Sequence, residues 1–255
     1  MDLGLNGARV LVTGGTRGIG RAIVEAFAAD GAHVATCARG AEGCAALEAA
    51  MTAKGASVTA RALDVRDADA FSGWFAEAAD SLGGLDIVVS NVSTRISGQG
   101  EAMWRDTFDV DLLQHVRLAE LALPRLRNGR GPSLLFISSI ASVLTQLPPG
   151  EEAYGTMKAA LVNYAGQLAA RQGAAGIRVN VLSPGPILFE GGVWDQIRQA
   201  NPALFSAAAR LSALGRHGTP EEVANAAVFL ASPAASFVTG ANLRIDGGSV
   251  KAANF

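Results

Sequence analysis

Short β-rich apolar runs alternate with helical stretches along the whole chain, and this alternation limits the fold more than any other feature. Several of the runs are apolar throughout, which is typical of parallel strands covered by helices on both faces. The sequence therefore predicts an α/β fold with a doubly wound, seven-stranded parallel sheet and helices on both faces. The predicted strands are residues 9–12, 33–37, 57–60, 86–90, 133–137, 178–182 and 242–245, and the main helices are residues 20–30, 41–54, 67–82, 103–126 and 154–172.

The size and charge of the chain favour one domain that acts on small molecules. Its 255 residues are 49% hydrophobic and 17% charged, which is enough to bury one large core. No repeat or linker divides the sequence, so we expect a single domain over residues 1–255. The net charge of -2 shows no basic excess, which argues against nucleic acid or an anionic membrane as partner.

The cysteines, histidines and N-terminus predict a soluble cytoplasmic protein without a metal site. The chain has only two cysteines, too few for a disulfide framework or a thiolate site, and its three histidines have no metal-ligand spacing. The N-terminal residues lack the cationic and apolar regions of a signal peptide. No apolar run approaches membrane-spanning length.

A glycine-rich turn follows the first predicted strand and opens the first helix. Gly14, Gly18 and Gly20 stand in the segment TGGTRGIG, residues 13–20. Glycines let the backbone bend sharply and approach a pyrophosphate, whose charge the helix N-terminus stabilises. A tight strand-to-helix connection can use the same residues, but the position directly after a strand favours a dinucleotide site.

The end of the second predicted strand indicates which nicotinamide cofactor binds. NAD-binding chains carry an acidic residue there to hold the ribose hydroxyls. This chain has Arg39 at that position and Arg17 inside the glycine turn. Two guanidinium groups can clamp a 2′-phosphate through charge-assisted hydrogen bonds, although two solvated surface arginines would look the same in the sequence. We predict that NADP(H) is favoured over NAD(H).

Tyr154 and Lys158 stand four residues apart on a predicted helix and therefore share one face. A neighbouring cation favours the phenolate, which lowers the pKa of a tyrosine from about 10 toward working pH. Tyr154 can then exchange a proton with a hydroxyl or carbonyl oxygen of a substrate. A buried tyrosine beside a snorkelling lysine is the ordinary alternative for this pair alone. The glycine turn upstream favours the catalytic interpretation.

The motifs together resemble those of the short-chain dehydrogenase/reductase family, in its compact branch with the 3-oxoacyl-(acyl carrier protein) reductases, over essentially the whole chain. The resemblance implies a single-domain Rossmann fold, a nicotinamide cofactor and hydride-transfer chemistry. The segments that carry it are residues 13–20, Asp64 and Val65, Asn91, residues 137–139, Tyr154 with Lys158, residues 183–185 and residues 214–248.

The resemblance also implies a role for each matching residue. Tyr154 would be the acid/base, Lys158 would bind the nicotinamide ribose as well, and Ser139 would hydrogen-bond the reacting oxygen. Ser138 is the alternative hydroxyl, and capping of a loop at a strand end would explain either serine. The implied cofactor contacts are Gly14, Thr16, Arg17, Gly18, Ile19, Gly20, Arg39, Asp64, Val65, Asn91, Tyr154, Lys158, Pro184, Gly185 and Ile187.

Four positions depart from the family's pattern. Residues 91–93 read Asn-Val-Ser where the family has Asn-Ala-Gly, and Phe189 replaces a threonine that touches the carboxamide. Asp111 stands in place of an asparagine that helps to hold a proton-relay water, so we count it among the catalytic candidates. An ionised Asp111 near Lys158 would favour the ammonium while opposing the tyrosinate. We therefore expect a more alkaline pH optimum than an asparagine would give.

Residues 186–212 are predicted to form a substrate lid, with Gly191 and Gly192 as its hinge. The apolar side chains of Leu147, Phe189 and Trp194 predict a pocket suited to an aliphatic, alicyclic or aromatic ketone. Packing of the lid against itself explains these side chains equally well.

The expected function is NADP(H)-dependent interconversion of a ketone and a secondary alcohol, with Tyr154 as acid/base. One alternative is reduction of a 3-oxoacyl thioester, with Arg125, Arg127 and Arg130 as the docking patch for an acyl carrier. Another is a nucleotide-binding regulator with little activity. The resemblance further implies a homo-oligomer, a dimer or tetramer, paired through the long helices.

Overall fold

The computed structural model describes residues 3–94 and 98–252, and within them seven parallel strands form one sheet. The predicted fold class is confirmed, and each predicted strand is present with small shifts at its ends. Along the sheet the order is β3-β2-β1-β4-β5-β6-β7. The strands are β1 (Arg9–Thr13), β2 (His33–Ala38), β3 (Val58–Ala62), β4 (Ile87–Ser90), β5 (Ser133–Ile137), β6 (Arg178–Pro184) and β7 (Asn242–Ile245).

Helices cover both faces of the sheet and create two apolar cores. Alternate residues of one strand point to opposite faces, so Val10 and Val12 enter one core while Leu11 enters the other. The first core includes side chains of α1, α2 and α9, and the second includes side chains of α3, α5 and α6. The helices are α1 (Gly18–Ala29), α2 (Ala41–Ala53), α3 (Ala68–Ser81), α4 (Glu101–Phe108), α5 (Gln114–Leu126), α6 (Glu152–Gln172), α7 (Val193–Ala200), α8 (Pro202–Leu211) and α9 (Pro220–Ala231).

One predicted helix, residues 103–126, is interrupted in the structure. A π-helical turn over Asp109–Leu113 separates α4 from α5. The hydrophobic periodicity of this region continues across the turn, so the sequence pattern did not reveal the interruption. Single π-turns inside α-helices often occur at functional sites. Here the turn carries Asp111, which is completely buried.

The predicted lid region contains two short helices, α7 and α8. Asn201 caps α8, since its Oδ1 accepts a hydrogen bond from the Leu204 amide at 3.0 Å. Pro202 stands in the first turn, where its missing N–H costs nothing. These local signals end one helix and begin the next within a single residue.

The strand order reverses between β1 and β4, and Asn91 joins the two strands at this point. Its backbone amide donates to Thr13 Oγ1 at 3.0 Å, and its side-chain Nδ2 donates to the carbonyl oxygens of Thr13 at 3.0 Å and Gly14 at 3.2 Å. In open α/β sheets, ligands bind in the crevice at such a reversal. Asn91 therefore fixes the floor of the expected cofactor cleft.

A buried carboxylate, Asp86, stabilises the end of the sheet where β1 and β4 begin. Asp86 is buried and accepts bonds from the Arg9 guanidinium at 2.7 and 3.1 Å and from the Arg130 amide at 2.7 Å. Burial alone would raise the pKa of Asp86, but these hydrogen bonds outweigh it and lower the pKa to about 2. The ionised carboxylate thus ties the start of β1 to the loop that leads into β5.

We predict that Asp86→Asn destabilises the fold by about 3 kcal/mol at pH 7, because it leaves Arg9 without its charged partner. Urea unfolding measures this loss. In the wild type the lowered pKa means that the carboxylate's contribution is complete above about pH 4 and is lost as the pH falls toward 2. The loss of stability between about pH 4 and pH 2 that comes from Asp86 should be absent from the variant.

Asp80→Asn is the matched control, since Asp80 pairs with Arg125 at the surface, where both side chains are largely exposed. Exposed pairs contribute little to stability. Equal losses in the two variants would contradict the role assigned to Asp86.

Candidate active site

A cleft of about 450 Å³ opens at the carboxyl edge of the sheet, above the reversal between β1 and β4. Parallel strands bring their carboxyl ends to one edge, so residues far apart in sequence meet there. The structure gathers most of the predicted cofactor residues in this cleft, namely Gly14, Thr16, Arg17, Ile19, Gly20, Arg39, Asp64, Val65 and Asn91.

The glycine turn has the shape that a pyrophosphate requires. Gly14 and Gly18 have φ angles of +75° and +52°, a region that favours glycine. A Cβ on Gly20 would lie 2.0 Å from the Gly14 carbonyl oxygen, so this position accepts only glycine. At the N-terminus of α1, Arg17 makes no side-chain cap, which leaves the first amides of the helix to a ligand in the cleft. The residues present therefore fit a dinucleotide.

The charges at the end of the cleft lined by Asp64 are unevenly paired. Arg66 binds Asp64 with two nitrogens, at 2.6 Å from Nη2 and 3.0 Å from Nε to Oδ2. Hydrogen bonds from Arg66 hold the pKa of Asp64 below its usual range, and the charge of Arg39 contributes. Among the described residues, no carboxylate lies within ion-pair distance of Arg17 or Arg39. Both guanidinium groups remain available to an anion in the cleft.

Lys158 is the most deeply buried cation of the site. Only 1% of its side chain is exposed, and its Nζ lies 3.2 Å from Asp111 Oδ1 and 3.3 Å from the Ile137 carbonyl oxygen. The same ammonium lies 5.7 Å from the centre of the Tyr154 ring, which is itself buried on α6. The spacing of four residues thus brings the lysine and the tyrosine together, as the sequence predicts.

Asp111 reaches Lys158 from the π-helical turn. Its Oδ1 accepts a short hydrogen bond from Ser93 Oγ as well as the contact with Lys158 Nζ, and its Oδ2 accepts from Thr94 Oγ1 at 3.1 Å. Burying a charge is costly unless it is paired and hydrogen-bonded. Both carboxylate oxygens have donors, which offsets the cost of burying this side chain.

Ser138 and Ser139 have different partners at the end of β5. Ser138 is buried and its hydroxyl donates to the Lys158 carbonyl oxygen at 3.1 Å, which joins β5 to α6. Ser139 is partly exposed, and its Oγ accepts a hydrogen bond from the Ala141 amide at 3.1 Å. Ser139 therefore has the capping role that the sequence left open, whereas Ser138 links β5 to α6. The Ser139 hydroxyl keeps its proton for another acceptor.

His115 lies one helical turn after Asp111 and is completely buried. Its Nδ1 is 2.6 Å from Ser90 Oγ. Burial holds the pKa of His115 well below its usual range, and the nearby charge of Lys158 lowers it further. The imidazole is therefore neutral and adds no charge beside Lys158.

The three residues predicted for the substrate pocket lie in different places. Phe189 lines the cofactor cleft, and a Cβ on Gly18 would come within 2.6 Å of its ring. Trp194 packs against His217, with ring centroids 5.2 Å apart, and His217 lies just after the predicted lid. Leu147 lies against Gly155, where a Cβ would be 2.3 Å from Leu147 Cδ1. The two lid aromatics thus pack against residues outside the lid, and the three side chains do not form one pocket.

Pro184 ends β6 at the same edge of the sheet, and Gly185 and Ile187 follow it. Gly185 approaches Asp246 so closely that a Cβ would lie 2.8 Å from the Asp246 Cα. Ile187 is buried against Gly218 and lines a second cavity of about 280 Å³. Within the described part of the chain, these three residues do not line the cleft that holds the glycine turn.

Several site residues were not identified from the sequence as members of the site, namely Arg66, Thr94 and His115. Arg66 stands two residues after Asp64, and Thr94 follows β4 close to Asn91, so position at a strand end was an available signal for both. For His115 the available signal was its spacing of four residues from Asp111. None of these signals is specific without the fold.

Residues 3–94 and 98–252 contain no group of three His, Cys, Asp or Glu side chains arranged to hold a metal ion. None of the helices in those ranges is both long enough and apolar enough to cross a bilayer. Cys37 and Cys44 are free and buried.

Comparison with known proteins identifies the family. Residues 14–250 match the family profile described as enoyl-(acyl carrier protein) reductase. The chain is 39% identical over 253 residues to an isoepoxydon dehydrogenase of Penicillium expansum, covering 97% of this chain and 96% of that protein. It is 37% identical over 250 residues to the L-tagatose-forming galactitol 2-dehydrogenase of Cereibacter sphaeroides, covering 96% and 95%.

Solved structures agree with the sequence comparison. A dehydrogenase/reductase from Sinorhizobium meliloti 1021 superposes with a TM-score of 0.89 at 32% identity, covering 98% of both chains. A short-chain dehydrogenase from Burkholderia cenocepacia J2315, solved in complex with NADP, superposes with a TM-score of 0.88 at 31% identity, covering 96% of this chain and 98% of that one. The chain therefore belongs to the short-chain dehydrogenase/reductase family.

Proposed function

We propose that this protein is an NADP(H)-dependent oxidoreductase that interconverts a ketone and a secondary alcohol. The observation that carries the proposal is the buried pair of Tyr154 and Lys158 on α6, beside a cleft that fits a dinucleotide. When bound, the nicotinamide would supply or accept a hydride at its C4 position.

The chain's own residues would manage the proton and the substrate oxygen. Tyr154 donates a proton to the carbonyl oxygen in reduction and withdraws it from the hydroxyl in oxidation. The Lys158 ammonium, 5.7 Å from the tyrosine ring, stabilises the negative charge left on the phenol oxygen. Ser139 can donate its hydroxyl proton to the same substrate oxygen, since its Oγ is an acceptor in its contact with Ala141.

Two arginines support NADP(H) as the cofactor. Arg17 and Arg39 line the cleft on the side of Asp64, and neither is engaged by a carboxylate of the described residues. Arg66 already neutralises Asp64, so the local field is positive. The NADP complex of the Burkholderia cenocepacia relative is consistent with this choice.

Free ketones are favoured over acyl thioesters as substrates. Of the three arginines considered for carrier docking, Arg125 is paired with Asp80 and Arg130 contacts Asp86. They lie in the last turn of α5 and in the residues just after it, at the end of the sheet opposite the cleft. A carrier docked there would deliver its thioester away from Tyr154. Among relatives, the galactitol dehydrogenase is named for a small polyhydroxy substrate.

We predict that Tyr154→Phe lowers kcat at least 100-fold, because general acid–base catalysis typically contributes 10²- to 10⁴-fold. The assay follows NADPH absorbance with a panel of aliphatic, alicyclic and aromatic ketones, free and thioester-bound. Cofactor binding, measured by fluorescence titration, should be retained in the variant. Tight NADPH binding by the wild type without turnover of any ketone would favour a nucleotide-binding regulator.

We predict that Arg39→Ala weakens NADPH binding about 10- to 100-fold, because each charged hydrogen bond to a phosphate contributes about 1.5–3 kcal/mol. NADH binding should change little, since NADH has no 2′-phosphate. Arg171→Ala is the control, as Arg171 lies in the last turn of α6, away from the cleft. If Arg39→Ala weakens the binding of NADPH and NADH equally, Arg39 does not bind the 2′-phosphate.

We predict that Asp111→Asn shifts the pH–rate profile of alcohol oxidation toward acid. The amide keeps the size of the carboxylate but removes the negative charge that opposes the tyrosinate through Lys158. Initial rates measured between pH 6 and about 11 would locate the rising limb. A profile identical to that of the wild type would remove Asp111 from the proton chemistry.

A further inference from the structure

We propose that Ser93 is a positioning residue that acts on the proton chemistry through Asp111. Its hydroxyl donates to the carboxylate oxygen that also contacts Lys158, and it thereby limits the negative charge that Asp111 exerts on the catalytic pair. The inference rests on the proposed function and adds to it a hydroxyl group, which the glycine found at this position in the family cannot provide.

The two oxygens of Asp111 have separate sets of partners. Oδ1 is shared by Ser93 Oγ and Lys158 Nζ, and the donor to Oδ2 among the described residues is Thr94 Oγ1 at 3.1 Å. A hydroxyl that donates to a carboxylate disperses its charge, and such charge-assisted bonds are stronger than neutral ones. Ser93 thus acts on the oxygen that faces the ammonium, whereas Thr94 acts on the other one.

The substitutions at positions 93 and 111 complement each other chemically. A carboxylate has only acceptors, so it can receive Ser93, Thr94 and Lys158 together. An asparagine amide has one acceptor oxygen and two N–H donors, so one of the three donors would face an N–H group. The serine and the aspartate therefore form a matched pair in this chain.

Among residues 3–94 and 98–252, the charged and titratable groups around the pair come from two elements, and a third element supplies a carbonyl oxygen. From α6, Tyr154 and Lys158 face it, and from α5, the buried and neutral His115 adds no charge. From β5, the Ile137 carbonyl oxygen accepts from Lys158 Nζ. Among the described residues, Asp111 is the one carboxylate within ion-pair distance of Lys158. Changes in its charge must therefore reach Tyr154 mainly through Lys158.

The direction of the effect follows from this arrangement. Without the Ser93 hydroxyl, the whole charge of Oδ1 acts on the ammonium, which then stabilises the tyrosinate less. The pH–rate profile of alcohol oxidation moves toward alkali, opposite to the shift expected for Asp111→Asn. If position 111 carries no charge, removal of the Ser93 hydroxyl leaves the charge near Lys158 unchanged, and the pH–rate profile does not move.

A double-mutant cycle tests the proposal with wild type, Ser93→Ala, Asp111→Asn and the double variant. Ser93→Ala is expected to shift the profile toward alkali and to lower kcat for oxidation at pH 7 about threefold or more, since hydrogen bonds to charged groups contribute about 1.5–3 kcal/mol. The double variant is expected to match Asp111→Asn alone. A loss of the same size in both backgrounds, without a shift in either profile, would mean that Ser93 is merely structural.

Ser93→Thr and Ser72→Ala are the control variants. Ser93→Thr keeps the hydroxyl and is expected to keep the wild-type profile. Ser72→Ala removes an exposed hydroxyl on α3, far from the site, and is expected to change nothing. If Ser93→Thr shifts the pH–rate profile toward alkali as Ser93→Ala does, the effect does not come from the hydroxyl and the assignment is overturned.

A measurement without substrate separates this inference from the proposed function. Ser93→Ala is expected to lower the Tm of the wild-type chain more than that of Asp111→Asn, because a hydroxyl bonds a buried carboxylate more strongly than an amide. Equal changes in Tm would overturn the coupling, whatever the activity. If the Tm changes are coupled but turnover does not depend on Tyr154, the proposed function is overturned instead.

Discussion

The buried Lys158 ammonium is the constraint on which the rest of the active site depends. Moving such a charge out of water costs several kcal/mol unless fixed partners replace the solvent. The Asp111 carboxylate and the Ile137 carbonyl oxygen supply those partners at 3.2 and 3.3 Å. Each comes from a different element, so the lysine can be buried only when the π-turn, β5 and α6 are all in place. Burial of one cation thereby couples the assembly of the fold to the assembly of the site.

The carboxylate that satisfies Lys158 needs donors of its own. Ser93 and Thr94 provide them from the loop after β4, the loop that also lines the cofactor cleft. Asn91, at the start of that loop, is bonded to Thr13 and Gly14 at the reversal of strand order. Hydrogen bonds at both ends of this loop thus connect the glycine turn, through the backbone of residues 91–93, to Asp111 and α6. Cofactor binding and proton transfer are therefore expected to share one rigid support.

The sequence predicted the elements far better than it predicted their contacts. The seven strands and the glycine turn follow from local composition and order, and the spacing of Tyr154 and Lys158 follows from helix geometry. The π-turn over Asp109–Leu113 was missed, because helical periodicity continues through it. The lid shows the same limit. Apolar residues predicted burial for Trp194 but not its partner, which is His217.

The sequence by itself determined the fold class, the glycine turn after β1 and the spacing of the residues proposed to carry a proton, because each depends on short segments and their order. Only the tertiary structure decided that Asp111 contacts Lys158 directly, that Ser93 and Thr94 complete its hydrogen bonds and that Phe189 lies against Gly18. These contacts join residues separated by 17 to 171 positions, and no local pattern encodes them. They arise because parallel strands bring their carboxyl ends to one edge, where buried charges must find partners.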